Sequence, residues 1–213
     1  MKINDIRYGN PTLELHNKAT RPDDSIRTWF IEQGIANYII KGAPANDSDV
    51  TENDIRIMMA KMGTVSTEDL IFARDCEESW EQIFIDFFTA KRIEEGVSEL
   101  QRIDDQTESI LFYLKNIINR PRPYQLAYAM ELPLYPIIHT NACSSAYPSG
   151  HALSAYIMSE YYSRKYPQYR PELILLGNRI ADSRVQMGIH FPSDGEISRK
   201  ICEIIWKNNL ISC

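Results

Sequence analysis

The chain lacks any apolar run of the eighteen or so residues that a membrane-spanning helix needs. Its longest apolar patches, around residues 80–88 and 173–176, are short or interrupted by charge. It opens Met1-Lys2-Ile3-Asn4-Asp5-Ile6-Arg7, without the continuous apolar core of a secretory signal. Cysteine is scarce. Cys76, Cys143, Cys202 and Cys213 lie far apart and form no C-x-x-C pair, which argues for free thiols in a reducing compartment and against a zinc site. A basic surplus is missing too: the net charge of −6 argues against broad nucleic-acid binding, which wants a positive surface. Strand-like alternation is rare, and no internal repeat is evident. What remains is an ordinary globular composition, 44% hydrophobic and 24% charged over 213 residues, enough for one sizeable core. The expectation is a soluble, cytoplasmic protein.

Along the chain the pattern is helical. Residues 1–23 read as polar and irregular, with Pro11 and Pro22 breaking any helix. A helix is predicted over 24–40, a loop over 42–49, and a helix from Thr51 to Met62 with a capping pattern of Thr51 and Asp54. Amphipathic periodicity continues through 67–91 and 93–118, with Glu94, Glu95, Asp104 and Asp105 assigned to solvated faces. Arg120-Pro121-Arg122-Pro123 must leave the helix. A long irregular stretch, 124–147, follows, of a length usually kept for function. Helices are predicted over 149–166 and 171–187, and from Pro192 towards Asn208, where Ser193 and Glu196 form a second capping pattern. The reading is an all-α, single-domain helical bundle. Residues 1–105 carry no assigned role, and 106–200 hold the chemistry at helix ends and adjoining loops.

Three separated segments carry that chemistry. The first is Lys115, six residues, then Arg122-Pro123; the second is Pro148-Ser149-Gly150-His151; the third is Ser183-Arg184, five residues, His190, three residues, Asp194. Together and in this order they resemble the signature of the type-2 phosphatidate phosphatase superfamily, which includes bacterial class A acid phosphatases and vanadium haloperoxidases. The resemblance keeps every motif residue and its spacing and covers about residues 106–200. The wider context around Arg120-Pro121-Arg122-Pro123-Tyr124 and Ala146-Tyr147 is most similar to the soluble acid phosphatases.

The residues make chemical sense on their own. Hydrolysis of a phosphate monoester needs accelerations of up to about 10²¹-fold, of which one general acid supplies only about 10²–10⁴. A nucleophile and an electrostatic clamp are therefore both required. Lys115, Arg122 and Arg184 are candidates for the clamp, the arginines through planar forks matched to phosphate oxygens. Ser149 and Gly150 at a helix start can add backbone N–H groups and the positive dipole end. His190 is the candidate nucleophile, Asp194 the residue that fixes its tautomer, and His151 the general acid and base. Pro192 makes a shared mid-helix face for His190 and Asp194 doubtful, so a turn entering the last helix is expected. The resemblance assigns the same roles to the same positions.

Other residues carry plainer expectations. His16 and His139 are structural or surface residues, Met58, Met59 and Met62 fill the core, and Gly188 ends a helix. Ser183 supports the site by a hydrogen bond, while Arg120 either touches phosphate or caps a helix end. Asn46-Asp47-Ser48 is a glycosylation sequon without meaning in the cytosol. The leading activity is metal-independent hydrolysis of phosphomonoesters through a phosphohistidine, on a small soluble phosphate ester. A vanadium-dependent haloperoxidase is the alternative, since vanadate fits the cradle that holds phosphate, as is a soluble lipid-phosphate or pyrophosphate phosphatase. No metal or cofactor is expected beyond vanadate as a phosphate mimic, or as cofactor in the peroxidase case. No nucleic-acid partner or membrane span is expected, and a homo-oligomer is compatible with the resemblance. The resemblance also has limits: the class A acid phosphatases are exported, and the stretch after Asp194 (Gly195-Glu196-Ile197-Ser198-Arg199-Lys200) is more polar than their small apolar helix.

Overall fold

The computed structural model describes residues 2–21, 24–140 and 142–211, so Cys213 and Pro22 lie outside the described residues. Among the described residues the chain is all-α, with no strand. The helices are α1 (Leu13–Ala19), α2 (Ser25–Glu32), α3 (Ile35–Lys41), α4 (Asp49–Met62), α5 (Thr67–Ala90), α6 (Val97–Ile118), α7 (Pro123–Ala129), α8 (Gly150–Lys165), α9 (Arg170–Gln186) and α10 (Pro192–Lys207). Among the described residues no helix is long and apolar enough to cross a membrane.

Helix α8 forms the centre, packed against α6, α9 and α10. It lacks a single apolar stripe; Leu153, Ile157, Met158 and Tyr162 are buried together with Ser154, Ser159 and Ser163, as expected of a helix covered on most sides. Helix α6 is amphipathic in the ordinary way. Leu100, Ile103, Thr107, Ile110, Leu111 and Leu114 recur at three- and four-residue intervals and face the core. Phe84 and Phe88 of α5 close the other side, the Phe88 and Tyr162 rings lying 4.5 Å apart.

The α8–α9 contact is close because Gly177 faces Ser159. A Cβ at Gly177 would lie 2.2 Å from Ser159 Oγ and 3.0 Å from the Ala155 carbonyl oxygen. Gly177→Ala is therefore expected to lower unfolding free energy by about 1–3 kcal/mol despite alanine's better helix propensity. Ser159→Ala should restore only part of the loss, because the Ala155 carbonyl stays; denaturant titration of the two single variants and the double variant checks it.

Several local expectations need correction. The first 23 residues are not wholly irregular: Thr12 accepts a hydrogen bond from Leu15 N–H and starts α1. The single helix over 24–40 is two, with the chain turning at Gly34 (φ 70°). Ser48, not Thr51, caps α4, which frees the Thr51 hydroxyl to donate to the Ala45 carbonyl. Residues 124–147 contain α7, whose first residue is Pro123, a position where the missing N–H costs nothing. Ser193 and Glu196 form no capping box; Asp194 accepts from Phe191 N–H at 2.9 Å and does that work. Met58 is core, but Met59 is 38% exposed. Asn46 is buried and donates to the Ile3 and Ile6 carbonyls, so the sequon is not a free surface loop. Cys76, Cys143 and Cys202 are free thiols.

Candidate active site

The three motif segments arrive at one place by three pieces of local geometry. Helix α6 ends at Asn119 in a left-handed conformation (φ 51°), which stops the helix just after Lys115 and sends Arg120 and Arg122 back towards the core in extended form. The preceding loop is pinned there, because Ser145 Oγ donates to the Lys115 carbonyl at 2.8 Å and Ala146 N–H to the Arg120 carbonyl at 3.0 Å. Helix α9 ends in a Schellman turn. Gly188 N–H bonds the Val185 carbonyl at 3.0 Å and Ile189 N–H the Arg184 carbonyl at 3.1 Å, with Gly188 at φ 74°. The same carbonyl accepts from His190 N–H at 3.2 Å, so the turn fixes His190 against Arg184. Gly188 does more than end a helix. Finally, Pro192 opens α10 and puts Asp194 in its first turn, where Asp194's carbonyl receives Ser149 N–H at 3.1 Å.

His190 is 3% exposed and held at both ring nitrogens. Arg122 Nη1 lies 2.7 Å from Nε2 and Asp194 Oδ2 lies 3.0 Å from Nδ1. A guanidinium only donates, so Nε2 must accept, and the proton sits on Nδ1 facing Asp194. The tautomer wanted of a nucleophile, an unprotonated Nε2 with a carboxylate behind Nδ1, follows from the partners alone, although Arg122 occupies the Nε2 lone pair in this structure. Burial, reinforced by Arg122, Lys115 and Arg184, pushes the His190 pKa well below its ordinary 6.5 and keeps the ring neutral.

Around His190 is a cavity of about 290 Å³ lined by Lys115, Arg122, Gly150, His151 and Arg184. Lys115 Nζ donates to the Ser145 carbonyl, and Arg122 Nε to the Ser144 carbonyl at 2.9 Å. Burial lowers the Lys115 pKa well below its ordinary 10.5, with Arg122 adding to the shift and Asp194 opposing it. Arg184, 1% exposed, gives Nη2 to Glu77 and leaves Nε and Nη1 buried without a hydrogen-bond partner among the described residues. Buried donors left unpaired cost about 1–3 kcal/mol each, which a bound oxyanion would recover. His151 sits in the first turn of α8, its ring without a hydrogen bond among the described residues. Burial and Arg184 push its pKa well below 6.5, Glu77 opposing. Ser149 stands apart: its hydroxyl accepts from Ala152 N–H at 3.4 Å, capping α8 rather than lining the cavity.

Arg120 does not line the cavity; it meets side chains in the first turns of α10 and α4 instead of capping the backbone of a helix end. It is 2% exposed and donates from Nη1 to Asp194 Oδ1 at 2.7 Å and to Ser193 Oγ at 2.7 Å. From Nη2 it bonds Thr51 Oγ1 at 3.0 Å and Asp54 Oδ2 at 3.4 Å, while Phe191 stacks on its plane at 4.0 Å. Ser193 donates to Asp54 in turn. Asp194 is thus clamped on both oxygens, and two residues of α4 belong to the support. Ser183 is no part of it, bonding the Ile180 carbonyl at 2.7 Å. His16 and His139 lie exposed, away from the cavity.

The outer wall contains what the sequence reading missed: Trp80 and Glu77 from α5, and Asp104, Glu108 and Phe112 from α6. The α5 residues flank a break at Ser79 (φ −163°, ψ 100°), where Ser79 Oγ accepts from Gln82 N–H and restarts the helix. Asp104 is half-buried rather than solvated, and burial raises its carboxyl to about 7, with Glu108, Glu81 and Asp105 adding to the shift and Ser154 opposing. Glu95 is likewise tied down, by Lys165 and Tyr166. The signal was present in the spacing: Asp104, Glu108, Leu111 and Lys115 recur on one face of α6.

The helical bundle gathers two histidines and three basic side chains around a cavity of anion size, with a clamped carboxylate behind one histidine, an arrangement suited to holding a phosphate group. Residues 107–207, just under half of the chain, match the family model of the PAP2 superfamily, a match that supports assigning this segment to that superfamily and supports phosphatase activity in the general sense. Among solved structures, the chain is similar to the first transmembrane PAP2-type phosphatidylglycerolphosphate phosphatase from Bacillus subtilis, at 14% identity over 93% of each chain with a TM-score of 0.39. No curated protein matches.

Proposed function

We propose that the chain hydrolyses phosphomonoesters without a metal ion, through a phosphohistidine on His190, and that its substrate is a small soluble ester. The observation that carries this reading is the pair of bonds on His190, which fix the neutral Nδ1–H tautomer and point Nε2 at the cationic end of the cavity. When phosphate enters, Arg122 Nη1 passes from Nε2 to a phosphate oxygen, freeing the lone pair. Nε2 then attacks phosphorus as the bond to the leaving oxygen breaks, and His151 gives that oxygen its proton. Asp194 stabilises the charge that appears on the ring, while Lys115, Arg122, Arg184 and the first N–H groups of α8 hold the equatorial oxygens. In the second half His151 takes a proton from water, the water oxygen attacks phosphorus, and the N–P bond breaks, returning neutral His190 and phosphate.

The pH dependence follows from the two histidines. His151 must be protonated, and its lowered pKa means that form is gained as pH falls below 6.5. His190 must be neutral, and its own lowered pKa means that this form is lost only when pH falls well below 6.5. Turnover of an aryl phosphate in excess chelator is therefore expected, with kcat/KM rising on the acid side of neutrality. Loss of turnover on chelation would overturn the metal-free reading. Halogenation needing vanadate and peroxide, with no ester hydrolysis, would overturn the phosphatase reading altogether.

A further inference from the structure

The lining of the cavity has two chemically different parts. One part of the lining is cationic and includes Arg184, whose Nε and Nη1 are buried and have no hydrogen-bond partner among the described residues. The other part of the lining, against which we place a leaving group once phosphate occupies the cationic part, contains Trp80, Asp104, Glu108 and Phe112. A carboxylate in the wall of an anion site disfavours a leaving group that carries further phosphates or a carboxylate.

One of the two carboxylates is already used. Lys18 Nζ lies 2.6 Å from Glu108 and 5.6 Å from the Phe112 ring centroid, and Arg21 lies 3.4 Å from Glu108. The chain itself thus seats an ammonium between a carboxylate and an aromatic ring on this wall. Asp104 and Trp80 also line the cavity, an acid and an aromatic ring like Glu108 and Phe112; Ser154 hydrogen-bonds Asp104, and among the described residues neither Asp104 nor Trp80 has a cation of the chain on it.

We propose that Asp104 and Trp80 form a leaving-group subsite for an ammonium, so that the preferred substrate is a phosphomonoester of an amino alcohol. The ammonium would pair with the Asp104 carboxylate and lie against the indole face, an arrangement that gains from both Coulomb attraction and the ring quadrupole. This inference rests on the phosphatase reading above and adds the substrate class to it.

Three esters of similar size separate the possibilities: 2-aminoethyl phosphate, 2-hydroxyethyl phosphate and phosphoglycolate, cationic, neutral and anionic in the leaving group. At pH 8, above the value of about 7 to which burial raises Asp104, the kcat/KM of the cationic ester is expected to exceed that of the neutral one by about tenfold, equivalent to about 1.4 kcal/mol, with the anionic ester slowest. In Asp104→Asn the ratio of cationic to neutral ester should collapse towards one, and Trp80→Leu should reduce it. A ratio cancels any change common to all the esters, including partial misfolding. Equal rates for the three esters in the wild type, or a cationic preference that survives Asp104→Asn, would overturn the subsite and leave the phosphatase reading standing. Failure to hydrolyse any of them, or an aryl phosphate, would overturn both.

Discussion

Alanine at His190 is expected to abolish phosphatase turnover, with kcat/KM falling by about 10⁴–10⁶-fold, the scale seen when a covalent nucleophile is removed from a preorganised site. The loss should be chemical rather than structural. The imidazole lines the cavity and is not one of the apolar residues of the main core, so far-UV helicity should persist although its bonds to Arg122 and Asp194 are lost. Inorganic phosphate should still raise the melting temperature of the variant, because Lys115, Arg122 and Arg184 remain. Retention of more than about one per cent of wild-type activity would move the nucleophile elsewhere, since general acid–base help alone is worth only about 10²–10⁴. A second signature comes from stability. His190 stays neutral in the fold because its pKa is held well below 6.5, whereas in the unfolded chain it takes a proton near that value. Folding stability is therefore full above 6.5 and falls as pH drops below it, and the fall should be shallower in His190→Ala.

Arg120→Met is expected to be the most damaging single substitution for stability, costing about 3–5 kcal/mol, because it leaves two buried carboxylates, Asp54 and Asp194, without their cation. Burial already pushes both carboxyls upwards, opposed chiefly by Ser193 and then Arg120 at Asp54, and by Arg120 at Asp194. Removing the guanidinium leaves burial to dominate. Turnover should fall as well, because a protonated Asp194 no longer stabilises positive charge on His190. Arg120→Lys keeps the charge but not the fork that serves four acceptors at once, and should fall between wild type and Arg120→Met. Denaturant unfolding of the three proteins is the measurement; a loss below about 1 kcal/mol in Arg120→Met would mean that the knot carries no net stability.

Much of the site was legible because its spacings are set by local geometry. The five residues between Arg184 and His190 are those needed to close a Schellman turn, and the three between His190 and Asp194 span the first turn of a helix opened by Pro192. Such relations survive in a linear reading. The role of Arg120 did not, since a guanidinium beside a proline looks the same whether it meets phosphate or an aspartate from another part of the chain. Asp104 was misread for a related reason. Periodicity identifies the polar face of α6 but not whether that face meets bulk water or a cavity, and the answer depends on α5 crossing above it with Trp80 and Glu77. The short helices α1 and α7 escaped because a single cap or an N1 proline starts each, and seven residues carry too little periodicity to announce themselves.

The bond from Arg120 to Asp54 also constrains how the gene can be cut and rejoined. A fragment restricted to 107–207 would hold every motif residue yet leave behind Thr51 and Asp54, and with them the acceptors for one edge of a fully desolvated guanidinium. It would leave behind Glu77 too, which steadies Arg184. A chimera that replaces the first hundred residues with those of a relative should work only where the incoming helix presents an acid at the level of Asp54. The border between inherited chemistry and variable surroundings therefore runs through the interior of α4, well outside the segment that the motifs mark.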